Sequence, residues 1–452
     1  MRSGDMVRRI YSILLVLASP LLLGWMAWRA RRAGGDWSVL GCERFGRYAR
    51  RPSAQPGAVW VHAVSLGETR AAQPLIRALL DRGHRVLLTH LTATGRAEGR
   101  RAYADDIVAG RLRQLWLPYD FPGATRRFMR CHRPALGVLI ERELWPNLVH
   151  AAVAARIPLV LASARMSPAS LRQNLRLAPL LRPAYAGLSR TYAQSEADAK
   201  RLRQVGATNV SVLGNFKFDL RLDAQRIAQG REFAVRLARP VVVIASTREG
   251  EDPGFVAAIR QQADRWDTEG LPLERWPLFM LIPRHPQRFD AVAGILESAG
   301  LSFVRRTHIA GLGEASDRVV QACRESAVIL GDTLGEMPWY YACAQVAIVA
   351  GSFAPLGGQN FIEASALGCP VLVGPHVANF DQAVADALQA GALRQVQTPE
   401  VALQCALQWL GDDALRARMG EAALQWISHH SGAVARVVAG IEALLREDVN
   451  PD

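Results

Sequence analysis

From residue 58 to residue 373, short and almost uninterruptedly apolar segments recur along the chain, each followed by a turn and most by a helical pattern. In the first half they fall at 58–64, 85–91, 114–117, 135–140, 158–162, 191–193 and 210–213. After a pause they resume at 240–245, 278–282, 302–304, 327–330, 346–350 and 370–373. Strands that are apolar on both faces and separated by helices, such as those read at 69–81 and 147–156, form parallel sheets covered on both sides. The pause, over 219–239, is polar and charged. A chain of 452 residues suits two domains of roughly 200 residues each. The expected architecture is therefore α/β, with two Rossmann-like doubly wound domains at 31–225 and 226–452 behind an N-terminal segment at 1–30. Amphipathic helices at 399–410, 414–428 and 431–446 would pack on the second domain.

Polar residues and glycines gather directly after the apolar segments. Examples are Ser65-Leu66-Gly67-Glu68, Glu141-Arg142-Glu143, Gly214-Asn215-Phe216-Lys217, Ser246-Thr247-Arg248-Glu249 and Pro283-Arg284-His285-Pro286. Open α/β sheets bind ligands outside the carboxyl ends of their strands. Two such edges facing each other would make one cleft, with a nucleotide-like ligand on at least the second domain.

The densest cluster runs from Gly351 through Gly357, Gly358, Gln359 and Asn360 to Glu363. Its glycines let the backbone approach a ligand closely, and a helix opening here would aim N–H groups at an anion. Asn360 and Glu363 serve equally well as a helix cap and its partner. Glu68 opens a helix, so the dipole should hold it charged and its pKa low. That keeps a base unprotonated but weakens its pull on a proton. Glu141 and Glu143 would share one side if the strand continued past them; a salt-bridged strand end is the plainer use. Lys217 lies between two phenylalanines, as a partly desolvated cation or a surface lysine. Arg284 and His285 suit phosphate recognition, or form only a rigid turn between prolines.

The formal charge of +13 comes almost entirely from Arg and suits a nucleic acid, an anionic membrane surface or a phosphorylated substrate. No zinc-finger spacing, RNA-binding aromatic signature or basic low-complexity tail is present, so no nucleic-acid partner is expected. The six cysteines include no C-x-x-C pair, which predicts free thiols in a reducing compartment. No metal-ligand spacing and no G-x-S-x-G elbow is found. Residues 10–28 carry no charge and match a bilayer in length. Arginines crowd their C-terminal side, which keeps the body of the protein on the cytoplasmic side. A cleaved signal peptide fits poorly, because no small-residue cleavage site follows. Pro20 leaves open whether the segment crosses the bilayer or lies in its interface.

Taken in order, WVHAVSLGETRAAQPLI, ERELWPNL, ASARMS, GNFKFD, ASTREGE, PRHPQRF, GDTLGEMPWYYACAQVAIVAGSF and GGQNFIEASALGCPVLVGPHVANF resemble the 3-deoxy-D-manno-octulosonic acid (Kdo) transferases of lipopolysaccharide assembly. The resemblance implies a GT-B glycosyltransferase of the inner membrane, facing the cytoplasm. It implies CMP-Kdo as donor on the second domain, a lipid A precursor as acceptor on the first, and neither cofactor nor metal. Glu68 matches the catalytic base of an inverting displacement, and Glu141 and Lys217 match residues that stabilise the transition state. Arg284, His285, Gly335, Glu336, Met337, Asn360, Phe361, Ile362 and Glu363 match the CMP-binding elements. Three positions depart from the family pattern: Arg142 stands for a usual Thr, and Arg248 and Gln359 each stand for a usual His. A sugar-nucleotide epimerase would share the fold but would have no need of residues 10–28.

Overall fold

The computed structural model describes residues 3–34, 36–48, 57–220, 222–309 and 317–447. The end of the basic N-terminal stretch at Arg51 and the last residues of the second predicted domain, 448–452, lie outside them. The chain forms two compact units. One runs to Asp219 and resumes at His430; the other is Leu220–His429.

The first unit holds seven parallel strands: β1 (Val59–His62), β2 (Val86–His90), β3 (Leu112–Trp116), β4 (Leu136–Ile140), β5 (Leu159–Ala164), β6 (Arg190–Ala193) and β7 (Val210–Val212). Their order is β3-β2-β1-β4-β5-β6-β7, so the chain changes direction between β1 and β4. Alternation along β1 feeds two cores. Val59 and Val61 pack with Leu75 and Leu79 of the helix Leu66–Asp81, while Trp60 packs with Phe128 and Leu148 on the opposite face. Each such side chain removed from water is worth about 1.5–3 kcal/mol. Gly137 in β4 is required by this arrangement, because a Cβ there would stand 2.6 Å from the Trp60 ring. The Trp60 Nε1–H is satisfied by Thr89 Oγ1 at 2.8 Å.

The second unit holds β8 (Val241–Thr247), β9 (Leu278–Pro283), β10 (Phe303–Arg305), β11 (Val328–Leu330), β12 (Val346–Val349), β13 (Val371–Val373) and β14 (Leu393–Gln395). These are also parallel, in the order β10-β11-β9-β8-β12-β13-β14, with the change of direction between β8 and β12. In open α/β sheets that change of direction is where a crevice for ligands opens.

Three expectations are corrected. The polar pause at 219–239 contains a helix, Ala224–Leu237. Its apolar stripe is narrow: Gly230, Phe233 and Leu237 are buried, and Gly230 lies against the Trp339 carbonyl. A short edge strand, β14, was not anticipated. The terminal helix Ala433–Glu447 belongs to the first unit, not the second, so the 226–452 boundary does not hold. Its Val437, Val438 and Ile441 fill the core beside the helix Leu66–Asp81, and Asp219 accepts the Val434 N–H at 2.6 Å. The sequence displays an amphipathic face but not which core that face completes.

Near the N-terminus, the helix Ser3–Ala33 contains a stretch, Asp5–Arg32, long and apolar enough to cross a membrane.

Candidate active site

Glu68 stands in the first turn after β1, at the first unit's change of direction. Ser65 caps the helix Leu66–Asp81. The Glu68 carboxylate reaches back past that cap and accepts the Val64 N–H at 2.7 Å. The same peptide unit is held from its other side: the Ala63 carbonyl lies 2.9 Å from His90 Nδ1. Gln114 Nε2 lies 2.8 Å from His90 Nε2 and is also bonded to the Arg96 carbonyl at 2.8 Å. An amide that donates to Nε2 leaves the imidazole proton on Nδ1, pointing at Ala63. Burial lowers the His90 pKa to about 4, so the ring is neutral.

Burial also pushes the Glu68 pKa up to about 7, and the charges of Glu143 and Glu141 add to the rise. The bonds from Val64 and Ser65 pull the other way and are outweighed. The low pKa expected from the helix dipole is therefore wrong. Desolvation and two like charges exceed a dipole effect worth about 0.3–1 kcal/mol. The result suits a base better, since a carboxylate near neutrality binds a proton more strongly while about half of it stays ionised at neutral pH.

β4 ends at Ile140, and Glu141 turns the chain at φ +60°. The Arg142 N–H folds back to the Ile140 carbonyl at 2.9 Å, so strand alternation does not govern Glu141 and Glu143. Such a backbone conformation is strained for a residue with a Cβ and costs on the order of 1–3 kcal/mol. It is repaid in part by Arg165, whose Nε donates to Glu141 Oε2 at 2.9 Å. Glu143 accepts the Trp145 indole N–H at 3.1 Å, and burial raises its pKa. Lys217 follows β7 in a short turn where Asn215 accepts its N–H at 3.0 Å. Burial lowers the Lys217 pKa, opposed by the charge of Glu141 and reinforced by Arg165. The structure thus brings Glu68, Glu141, Glu143, Arg165 and Lys217 into one electrostatically coupled group at one sheet edge.

In the second unit, Glu251 organises the edge. Its carboxylate is 3% exposed and accepts backbone N–H groups from Gly351 at 2.7 Å, Arg248 at 2.8 Å, Phe353 at 2.9 Å and Ala354 at 3.2 Å. It ties the loop after β8 to the loop after β12. Gly351, at φ +69°, has no room for a Cβ, which would fall 2.6 Å from the Gln359 side chain. Gln359 Oε1 in turn accepts Arg284 Nε at 3.3 Å. His285 lies beside Arg248 and Arg284; burial and those two charges lower its pKa.

Asn360 does not cap the following helix in the expected way. That helix is short, Ile362–Ala366, with Phe361 at the N-cap position. Asn360 Oδ1 accepts the Ile362 N–H at 3.2 Å, and Asn360 Nδ2 donates to Glu363 Oε1 at 2.9 Å. Phe361 and Ile362 are core side chains, Phe361 stacking on Trp426, which leaves only their backbone to meet any ligand. Gly335 sits at φ +79° in an exposed turn, and Met337 opens a helix behind it. The Glu336 carboxylate is committed to Arg306 at 3.1 Å, Arg226 at 3.3 Å and Thr333 at 2.7 Å.

Sequence reasoning gave no role to Glu251, Arg165 or His90. Each stands beside a strand end: Arg165 and Glu251 lie within the quoted stretches ASARMS and ASTREGE, and His90 closes β2. Only the tertiary pairing shows what each holds.

Two parallel doubly wound sheets, each with polar loops at its change of direction, make this a GT-B fold. The UDP-GlcNAc 2-epimerase of Neisseria meningitidis superposes with a TM-score of 0.55 at 16% identity, over 86% of this chain and 100% of that one, which shows a shared fold. Residues 42–220 match the family model described as 3-Deoxy-D-manno-octulosonic-acid transferase (kdotransferase). The 3-deoxy-D-manno-octulosonic acid transferase of Bordetella pertussis is 52% identical over 97% of this chain and 99% of its own length. That of Haemophilus influenzae is 29% identical over 98% and 100%. The chain belongs to the Kdo transferase family.

Proposed function

We propose that the enzyme moves Kdo from CMP-Kdo to a hydroxyl of a lipid A precursor by one inverting displacement, with Glu68 as the base. The observation that carries this reading is the Glu68 carboxylate, raised to about 7 and aimed by the Val64 N–H at the first unit's change of direction. As the acceptor oxygen attacks the anomeric carbon of Kdo, its proton passes to Glu68. The bond from that carbon to the phosphate oxygen breaks, and CMP departs. Lys217 offsets negative charge on the phosphate or on the Kdo carboxylate. Glu141, pinned by Arg165, stabilises positive charge at the anomeric centre.

On the donor side, Arg284 and His285 supply positive charge to the phosphate. The turn from Gly357 to Asn360 supplies close backbone, and Glu363 accepts from ribose hydroxyls. Glu336 acts behind Gly335 and Met337 through its ion pairs. Fit to the acceptor, a phosphorylated and acylated sugar, is supported by the +13 charge and the apolar N-terminal helix. The same helix supports attachment to the cytoplasmic face of the inner membrane. No resident cofactor or metal is assigned a part.

The test is Glu68→Ala assayed for both turnover and CMP binding. Loss of turnover with CMP binding kept supports the base assignment. Full activity in the variant refutes it.

A further inference from the structure

We propose that the helix Ser3–Ala33 lies flat between the first unit and an anionic bilayer surface and does not cross the bilayer. This rests on the membrane attachment proposed above and concerns its geometry.

Both flanks of the apolar run are fastened to neighbouring residues of the first unit. On one side, Tyr11 OH donates to Asp120 Oδ2 at 3.1 Å, and Arg8 Nη1 donates to Asn147 Oδ1 at 3.1 Å. Ser12, 9% exposed, receives Asn147 Nδ2 at 3.0 Å. On the other side, Tyr119 OH donates to the Val39 carbonyl at 2.8 Å, and Arg44 Nη2 to the Trp37 and Leu91 carbonyls at 3.2 Å and 2.8 Å. Residues 11 and 39 therefore bond to residues 120 and 119. A helix rises about 1.5 Å per residue, which carries Ala33 about 33 Å from Tyr11. The six residues onward to Val39 reach at most about 20 Å. Had the helix crossed a hydrocarbon core about 30 Å thick, Val39 would remain about 10 Å or more inside the hydrocarbon and would hold Tyr119 of the body there with it.

The helix touches the helices Pro146–Ala154 and Ala178–Ala186, while Ile13, Leu14, Leu17 and Leu21 stay exposed, Leu21 by 81%. The helix has little amphipathic character of its own and is apolar around most of its circumference, so it is the protein resting against one side that leaves the remaining face for lipid. At its far end Arg29 lies over the Trp25 ring at 5.4 Å and Arg32 over Trp28 at 4.0 Å. Indole and guanidinium together suit the headgroup level and anionic lipids.

The full chain with an N-terminal epitope, expressed in cells and recovered in inverted inner-membrane vesicles, gives the test. Protease is expected to remove the epitope together with the body of the enzyme. An epitope protected inside the vesicles overturns the flat geometry while leaving attachment intact. Chain that stays in the soluble fraction, alone or as a dimer sealed through this helix, overturns attachment itself. As an independent check, Ser12→Cys combined with Asn147→Cys is expected to cross-link on oxidation in those vesicles. Absence of the cross-link there, with the same pair linking in detergent, contradicts a helix held against the body in the membrane.

Discussion

Glu68 and His90 grip one peptide unit from opposite ends. His90 Nδ1 holds the Ala63 carbonyl at 2.9 Å, and the adjoining Val64 N–H holds Glu68 at 2.7 Å. A carbonyl that accepts a hydrogen bond polarises its own N–H, so the two bonds strengthen each other. The imidazole therefore fixes where the carboxylate stands without touching substrate. His90→Phe is expected to lower kcat by about 10–100-fold, as a small displacement of a reacting group does, with KM changed little. It should also move the acid limb of the pH profile upward, because Glu68 loses part of the bond that favours its charged form. His90→Gln, which can still donate, is expected to recover part of the rate. Steady-state kinetics over pH checks both.

A base must be ionised to work. With Glu68 at about 7, kcat/KM is expected to fall about tenfold per pH unit below that value and to level off above it. A limb near pH 4.5 would place the titrating base elsewhere.

The same shift carries a stability consequence of defined sign. The folded protein binds the Glu68 proton more tightly than the unfolded chain, so the fold loses stability as pH rises from about 4.5 to about 7. Glu68→Gln removes that loss. Its melting temperature relative to the parent is expected to rise between pH 5 and pH 8. A difference independent of pH contradicts the shift.

In the second unit, Glu251→Ala leaves four backbone N–H groups without their acceptor. Each unsatisfied buried donor costs about 1–3 kcal/mol, partly relieved by entering water. Denaturant unfolding is expected to show a loss above about 2 kcal/mol, with CMP binding weakened, although Glu251 itself need not meet the nucleotide.

Arg284→Ala is expected to raise the donor KM by about 10–100-fold, the worth of a charge-assisted hydrogen bond. Gln359→Ala, which removes the Arg284 partner at 3.3 Å, is expected to do less of the same. Initial rates at varied CMP-Kdo distinguish them.

Thirteen of the fourteen strands coincide with apolar runs; most do so because they are buried on both faces, whereas the edge strands β7 and β10 are only partly buried. β14 escaped because two of its three residues, Arg394 and Gln395, are polar and leave no apolar run. The helix Ala224–Leu237 escaped because glycine supplies part of its buried stripe. Glu68, Glu141 and Lys217 were legible as polar residues directly after strands. The pKa of Glu68 was not, since it depends on burial and on Glu143 and Glu141, which β4 brings alongside from far along the chain. Glu251 and His90 were hidden for the same reason: their partners are backbone groups, and sequence does not mark which peptide a side chain will hold.

The most direct measurement is mass spectrometry of a tetra-acylated lipid A precursor after incubation with the full chain and CMP-Kdo, without added metal, beside the Glu68→Ala protein. The parent is expected to add one or more Kdo masses, and the variant none while still binding CMP. An unmodified precursor with folded, CMP-binding parent protein would contradict the proposed acceptor, and equal addition by the variant would contradict Glu68 as the base.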